Sequence, residues 1–77
     1  MKNIYLTKDL SRITGQSVYT IKYYLKIGLL KEFGRSPETN FRFFDDKTLE
    51  DLRRIRQMRR DGVSLKVIRQ KLDKEKA

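Results

Sequence analysis

The sequence has neither cysteine nor histidine, and it has no long apolar run. The lack of cysteine excludes disulfides, zinc fingers and thiolate redox sensing. The lack of histidine removes the commonest metal ligand and general base, so we expect no metal and no other cofactor. The apolar runs are too short to span a membrane, and the N-terminus lacks the apolar stretch of a signal peptide. A cytoplasmic location is the expectation that remains.

Length and charge narrow the function further. The 77 residues predict a single domain, residues 1–77, which buries about 60% of its unfolded surface and leaves little room for an enzyme cleft. Because no nucleophile is paired with a base and no carboxylate cluster is evident, we expect no enzymatic activity. The chain carries 19 Lys and Arg against 10 Asp and Glu, a net charge of +9, which indicates a polyanionic partner such as nucleic acid. The alternative is a basic surface that serves only solubility.

The first helical pattern runs from about Lys8 to Thr14. Thr7 is the expected cap, since its hydroxyl can accept a hydrogen bond from an exposed backbone N–H of the first turn. Leu10 and Ile13 share one face, and Gly15 suits the left-handed residue that ends a helix.

A second helix is predicted to start at Ser17 and to end at Gly28, only a few residues after the first. Its apolar residues fall at i, i+3 and i+7, the spacing of a helical stripe; they are Val18, Ile21 and Leu25. Two short helices with a glycine in the turn have the outline of a helix-turn-helix.

The outer face of the second helix carries groups that suit DNA. Two hydroxyls and two ammonium groups lie away from the apolar stripe, on Tyr19, Lys22, Tyr23 and Lys26. Cations can bind the phosphate backbone, and hydroxyls can bond to phosphates or to base edges. Tyr24 lies at the edge of the stripe, where core packing and exposure both remain open.

The helical period is lost between residues 29 and 45. Residues 29–33 have apolar ends, residues 34–40 form a turn by composition, and residues 41–44 are rich in strand-forming aromatics. We expect two short strands joined by that turn, a β-hairpin that makes the wing of a winged helix.

Two arginines would project from this wing. Arg35 lies in the predicted turn, and Arg42 lies between aromatics, so Arg42 either reaches a phosphate or snorkels from the edge of the core. Phe43 and Phe44 are expected to pack in the core.

Two more helices complete the pattern. The third is capped by Asp45 or Asp46 and closed by Gly62, and the fourth is capped by Ser64. The buried face of the third helix consists of Leu49, Leu52, Ile55 and Met58, and that of the fourth consists of Leu65, Ile68 and Leu72. The outer side of the third helix carries Arg53, Arg54, Arg56, Arg59 and Arg60. We expect a solvated surface there, with only one or two arginines near the C-terminal end touching DNA.

Three motifs, in this order and spacing, resemble the DNA-binding domain of MerR-family transcriptional regulators. They are residues 17–30 (SVYTIKYYLKIGLL), residues 37–45 (PETNFRFFD) and residues 49–65, which close with RRDGVSL. The resemblance covers nearly the whole chain. It implies a mainly α, winged helix-turn-helix fold of four helices with a small β-hairpin wing, in which the last helix pair acts as a second wing.

The resemblance also implies a partner and residue roles. The recognition helix would enter the major groove of double-stranded DNA while the wings grip the backbone. Lys22 matches a usual arginine of the recognition helix, and Tyr23 matches a tyrosine that contacts phosphate. Arg42 matches the wing arginine, and Arg59 matches a basic residue of the second wing. Together with the outer face and the wing, this predicts the DNA-binding residues Ser17, Tyr19, Thr20, Lys22, Tyr23, Lys26, Arg35, Arg42 and Arg59.

The chain departs from the family pattern in its wing and in its length. The family wing reads Tyr-Arg-x-Tyr, whereas residues 41–44 read Phe-Arg-Phe-Phe, so two hydroxyls are missing. Family members continue into a long dimerisation helix and an effector domain, so this chain is either part of a longer regulator or a naturally short protein. The residues after Leu72 offer no apolar stripe for a coiled coil. We expect a monomer in solution that can pair on DNA or in a longer parent chain.

Three functions agree with these patterns. Sequence-specific DNA binding for transcriptional control is preferred. The second is a small architectural protein that bends DNA, similar to an excisionase, which binding to direct repeats would favour. The third is a module for RNA or for an acidic protein, since the exposed aromatics could stack on unpaired bases; preference for single strands would favour it.

Overall fold

The computed structural model describes residues 3–76, with their side chains through residue 74. In chain order the elements are β1 (Tyr5–Leu6), α1 (Thr7–Thr14), α2 (Val18–Lys26), β2 (Gly34–Arg35), β3 (Arg42–Phe44), α3 (Asp46–Arg60) and α4 (Leu65–Lys76). These four helices and the small sheet confirm the predicted fold class. Within the described range, no helix is long and apolar enough to cross a membrane.

The core lies where the four helices meet the central strand of the wing. Every helix and β3 contributes to the set of fully buried side chains, which consists of Leu10, Ile21, Phe44, Leu52, Ile55 and Ile68. Full burial of one such side chain stabilises the fold by about 1.5–3 kcal/mol. The wing is therefore held on the same core as the helix-turn-helix.

A third strand extends the predicted hairpin into an antiparallel sheet of order β1–β3–β2. Tyr5 of β1 pairs with Phe44 of β3, and on the other side Arg35 pairs with Arg42. The Tyr5 hydroxyl donates to Asp46 Oδ1 at 2.7 Å, which fastens β1 to the start of α3. The sequence patterns did not reveal β1, because two residues are too few to show the alternation typical of a strand.

The first arm of the predicted hairpin was wrong. Leu29 and Leu30 are buried instead of forming a strand, and their N–H groups donate to the carbonyl of Tyr24 at 2.9 and 3.2 Å. These bonds close α2, so the apolar pair belongs to the helix end and to the core. The strand β2 begins at Gly34, inside the predicted turn, and the N–H of Phe33 just before it donates to the carbonyl of Phe43 at 2.9 Å. Of the two phenylalanines expected in the core, Phe44 is fully buried and Phe43 is only half-buried.

Helix α1 begins at Thr7, which corrects the prediction that Thr7 caps it. The preceding residue is Leu6, and its N–H donates to the carboxylate of Asp9 at 2.9 Å. An acidic side chain in the first turn also suits the positive end of the helix dipole. Gly15 ends the helix as predicted, with φ of 75°; a Cβ at that position would lie 2.8 Å from Nη1 of Arg56.

Side-chain caps begin the last two helices. Asp45 Oδ1 accepts from the N–H groups of Lys47 and Thr48 at 3.1 and 3.3 Å, which decides between the two aspartates that the sequence left open. Ser64 Oγ accepts from the N–H of Val67 at 3.3 Å, as predicted. These caps fix the residues at which α3 and α4 begin after the wing.

Candidate nucleic-acid interface

Helix α2 is anchored in the core through Ile21 and Tyr24. Tyr24 is 7% exposed, which settles the open alternative in favour of core packing. The predicted stripe is partly wrong, because Val18 is 36% exposed and Leu25 is only half-buried. Val18 is the first residue of α2, and its chain neighbours Ser17 and Tyr19 are exposed as well.

The N-terminus of α2 is closed by a serine–threonine pair. Ser17 Oγ accepts from the N–H of Thr20 at 3.0 Å, and the two hydroxyl oxygens lie 2.9 Å apart. Both residues belong to the predicted DNA-binding set. Their hydroxyls therefore already fix the start of the helix, where a recognition helix approaches base edges.

The outer face of α2 is presented to solvent as predicted. Tyr19 is 82% exposed and Tyr23 is 45% exposed, and Lys22 and Lys26 are exposed as well. The ring of Tyr23 lies with its centroid 6.2 Å from that of buried Tyr24, so the core supports one side of the exposed ring. This face offers two hydroxyls and two ammonium groups to a partner.

The two wing arginines share one carboxylate. Arg35 and Arg42 face each other across β2 and β3. The Nε of Arg35 lies 2.8 Å from Oε2 of Glu32, and the Nε of Arg42 lies 3.9 Å from the same oxygen. Glu32 was not among the residues that the sequence singled out.

This contact shifts the pKa of both main partners. The hydrogen bond from Arg35 lowers the pKa of the Glu32 carboxyl, and burial opposes that effect. The same hydrogen bond raises the pKa of Arg35. Glu32 is therefore ionised at neutral pH, and the wing carries an ion pair rather than a neutral hydrogen bond.

Two grooves flank the wing arginines. The first groove has a volume of about 560 Å³ and includes Leu6, Lys8, Val18, Asn40 and Phe41. The second groove has a volume of about 630 Å³ and includes Lys26, Leu30, Lys31 and Glu32. Three residues line both grooves: Lys22, Arg35 and Arg42. The structure thus brings the predicted lysine of α2 together with both predicted arginines of the wing.

The second groove is strongly basic. It is lined by Lys22, Lys26, Lys31, Arg35 and Arg42, with Glu32 as its acidic residue. Cationic side chains that converge on one concave surface raise the local concentration of an anion. Their spread along α2 and the wing suits an extended polyanion, because each phosphate of a backbone can meet a different cation.

Arg59 lies outside the residues that line these two grooves. It is exposed near the end of α3, and its Nη1 donates to the carbonyl of Val63 at 3.2 Å, which braces the turn between α3 and α4. Arg56 donates to the carbonyl of Thr14 and joins α3 to the helix-turn-helix. Arg56 therefore has a structural contact, and the DNA contact of Arg59 stays a prediction.

Sequence reasoning missed several residues of the grooves. Lys8, Lys31, Asn40 and Phe41 line one groove or the other, and Phe41 is exposed. The sequence did carry a signal for the ion pair of Glu32 and Arg35, because Glu32 precedes Arg35 by three residues. Lys31 directly precedes Glu32. The expected strand over residues 29–33 hid that signal, because it placed Lys31 and Glu32 on opposite faces of a sheet and left Arg35 in the turn.

A short helix pair, an outward-facing second helix and an antiparallel wing beside a basic groove together define a winged helix-turn-helix domain. The chain matches the family described as MerR HTH family regulatory protein over residues 5–75. It belongs to this family, as the sequence motifs led us to expect.

Two relatives agree with this assignment. An uncharacterized HTH-type transcriptional regulator of Haemophilus influenzae is 38% identical over 65 residues, which cover 84% of this chain and 47% of that protein. A crystal structure of HiNmlR, a MerR family regulator lacking the sensor domain, bound to promoter DNA, has a TM-score of 0.79 at 35% identity. That match covers 88% of this chain and 51% of the other. The chain thus spans about half the length of these relatives.

Proposed function

We propose that this chain is the sequence-specific DNA-binding domain of a transcriptional regulator and has no enzymatic activity. Helix α2 enters the major groove of double-stranded DNA, and the wing lies on the phosphate backbone. A DNA partner places the protein at the nucleoid, in the cytoplasm.

One observation carries this proposal. Lys22 lies on the exposed face of α2 and also lines both grooves beside Arg35 and Arg42. A recognition helix that reads bases needs phosphate-binding groups at a fixed distance from it, because backbone contacts set the register in which base edges are read. HiNmlR, which is 35% identical, was crystallised bound to promoter DNA, and this supports double-stranded DNA as the partner.

The predicted residues divide into two roles. Six positions at the cap and along α2 face the bases and the adjacent backbone: the capping residue Ser17, then Tyr19, Thr20, Lys22, Tyr23 and Lys26. Arg35 and Arg42 hold the backbone from the wing, and Arg59, near the end of α3, holds it from the second wing, the helix pair α3 and α4. Only the first role carries sequence information.

The test has two stages. A preferred duplex is first selected from a random duplex library, and variants are then titrated against it and against a scrambled duplex. We expect Lys22→Ala and Tyr19→Ala to reduce the preference by about 1–3 kcal/mol. Arg42→Ala and Arg59→Ala should weaken binding to both duplexes alike, because backbone contacts do not distinguish sequences.

Lys71→Ala is the control for lost charge, since Lys71 is an exposed lysine of α4 outside both grooves. This variant should bind both the preferred and the scrambled duplex about as tightly as the wild type does. Failure to select a preferred duplex, or tighter binding to single strands than to any duplex, would contradict the proposed function. Wing variants that alter the preference while Lys22→Ala acts uniformly would reverse the roles.

A further inference from the structure

The wing places a carboxylate in the surface that is proposed to meet DNA phosphates. Glu32 lines the second groove with five cations. By charge alone a carboxylate at this position opposes binding, because it repels phosphates at short range. The contacts of Glu32 with the wing arginines indicate a different role.

Both contacts are made on the Nε side of the guanidinium groups. Glu32 Oε2 accepts a hydrogen bond from the Nε of Arg35 at 2.8 Å, and it lies 3.9 Å from the Nε of Arg42, which is the distance of an ion pair and not of a hydrogen bond. A guanidinium has five N–H donors, of which one is on Nε and four are on the two terminal nitrogens. The two terminal nitrogens can together donate a fork of hydrogen bonds to one phosphate. A carboxylate that takes the Nε side thus orients the fork without competing for it.

The backbone around Glu32 is well held. Leu30, two residues earlier, is buried in the core. Phe33, the next residue, donates its N–H to the carbonyl of Phe43 at 2.9 Å, and the two phenylalanine rings have centroids 5.8 Å apart. The backbone that carries the carboxylate is therefore fixed in place, and the lowered pKa of Glu32 favours the charged form.

We propose that Glu32 is a positioning residue that holds Arg35 and Arg42 with their terminal nitrogens directed at the DNA backbone. The proposal rests on the proposed function. An arginine that is already ordered loses less side-chain freedom on binding than a free one. The gain from two ordered arginines then exceeds the repulsion between one carboxylate and the phosphates.

The direction in which duplex affinity changes distinguishes a positioning role of Glu32 from a purely electrostatic one. Glu32→Ala and Glu38→Ala each remove one negative charge, and Glu38 is an exposed residue of the loop between β2 and β3, outside both grooves. We expect Glu32→Ala to weaken duplex binding by about 3- to 10-fold, since one or two arginines must now be ordered on binding. Glu38→Ala should leave binding unchanged or make it tighter.

A second pair of variants keeps the net charge. Glu32→Asp retains the carboxylate but shortens its reach by one methylene, so we expect weaker binding, whereas Glu38→Asp should bind as the wild type does. In an Arg35→Ala, Arg42→Ala background, Glu32→Asp should have no further effect, because the residues through which it acts are gone. Thermal unfolding of each variant checks that the domain stays folded.

A readout without DNA accompanies these titrations. The Nε–H signals of Arg35 and Arg42 in a proton–nitrogen correlation spectrum of the free protein should move in Glu32→Asp and stay in place in Glu38→Asp. Tighter binding by Glu32→Ala, or wild-type binding by Glu32→Asp, would overturn the positioning role while the proposed function stands. If the wild type binds no duplex, the proposed function itself fails and the positioning role fails with it.

Discussion

The dependence of duplex binding on salt measures how many cations of the protein meet phosphates. Five cations are proposed to meet the backbone: Lys26, Lys31, Arg35 and Arg42 of the second groove, and Arg59 of the second wing. Each phosphate that a cation neutralises releases condensed counterions, so the logarithm of the binding constant falls with the logarithm of the salt concentration by about 0.9 per contact. Five contacts predict a slope of about −4.5. Raising monovalent salt from about 50 to about 200 mM should then weaken binding by about 500-fold.

Lys31→Ala is the variant that ties this slope to the groove. Lys31 is exposed, lines the second groove and was not predicted from sequence. Its removal should reduce the slope to about −3.6, so the same change in salt would weaken binding by only about 150-fold. The assay is fluorescence anisotropy of a labelled duplex of fixed length at a series of salt concentrations, with Lys71→Ala as the control. A slope near zero, or a slope that Lys31→Ala leaves unchanged, would refute the assignment of this groove to the backbone.

Two further predictions concern the scaffold that carries the interface. Ile21→Val should lower the free energy of unfolding in urea by about 0.5–1.5 kcal/mol, because Ile21 is fully buried. Val18→Ala should change the same free energy by less than about 0.5 kcal/mol. A large loss for Val18→Ala would show that Val18 packs in the core, as the sequence pattern predicted. Tyr5→Phe tests the bond to Asp46, which lowers the pKa of Asp46 and raises that of Tyr5. The stability linked to Asp46 is present above its unfolded pKa and is lost as pH falls through the lower folded pKa. The stability linked to Tyr5 is present below its unfolded pKa and is lost as pH rises through the higher folded pKa. The variant should flatten the stability profile at both ends, and equal losses at all pH values would contradict this role.

Residue spacing was enough to predict the helices, because an α-helix leaves a strong periodic signal and its ends carry specific residues. Ser64 and Gly15 act as predicted, and the motifs were sufficient to indicate the family. The same signals could not decide between Asp45 and Asp46, since both precede the same helix and either carboxylate could reach its first turn.

The candidate site was predictable only in part. Lys22, Arg35 and Arg42 were selected from the sequence and lie together in the structure. Lys31 and Glu32 were missed because the segment was assigned to a strand, while Leu29 and Leu30 in fact close α2. A short run of apolar residues after a helix is equally compatible with a strand and with a buried helix end. The period of two and the period of 3.6 cannot be separated over so few positions.

Local spacing and composition determined the basic character of this protein, the order of its four helices and the face of α2 that is exposed. These properties depend on residues that are near one another in the chain. The tertiary structure alone decided that Tyr24 is buried and Val18 is not, that β1 joins the wing, and that one carboxylate serves both wing arginines. Periodicity tells which side chains share a face, but the neighbour that covers that face is supplied by packing between segments distant in sequence.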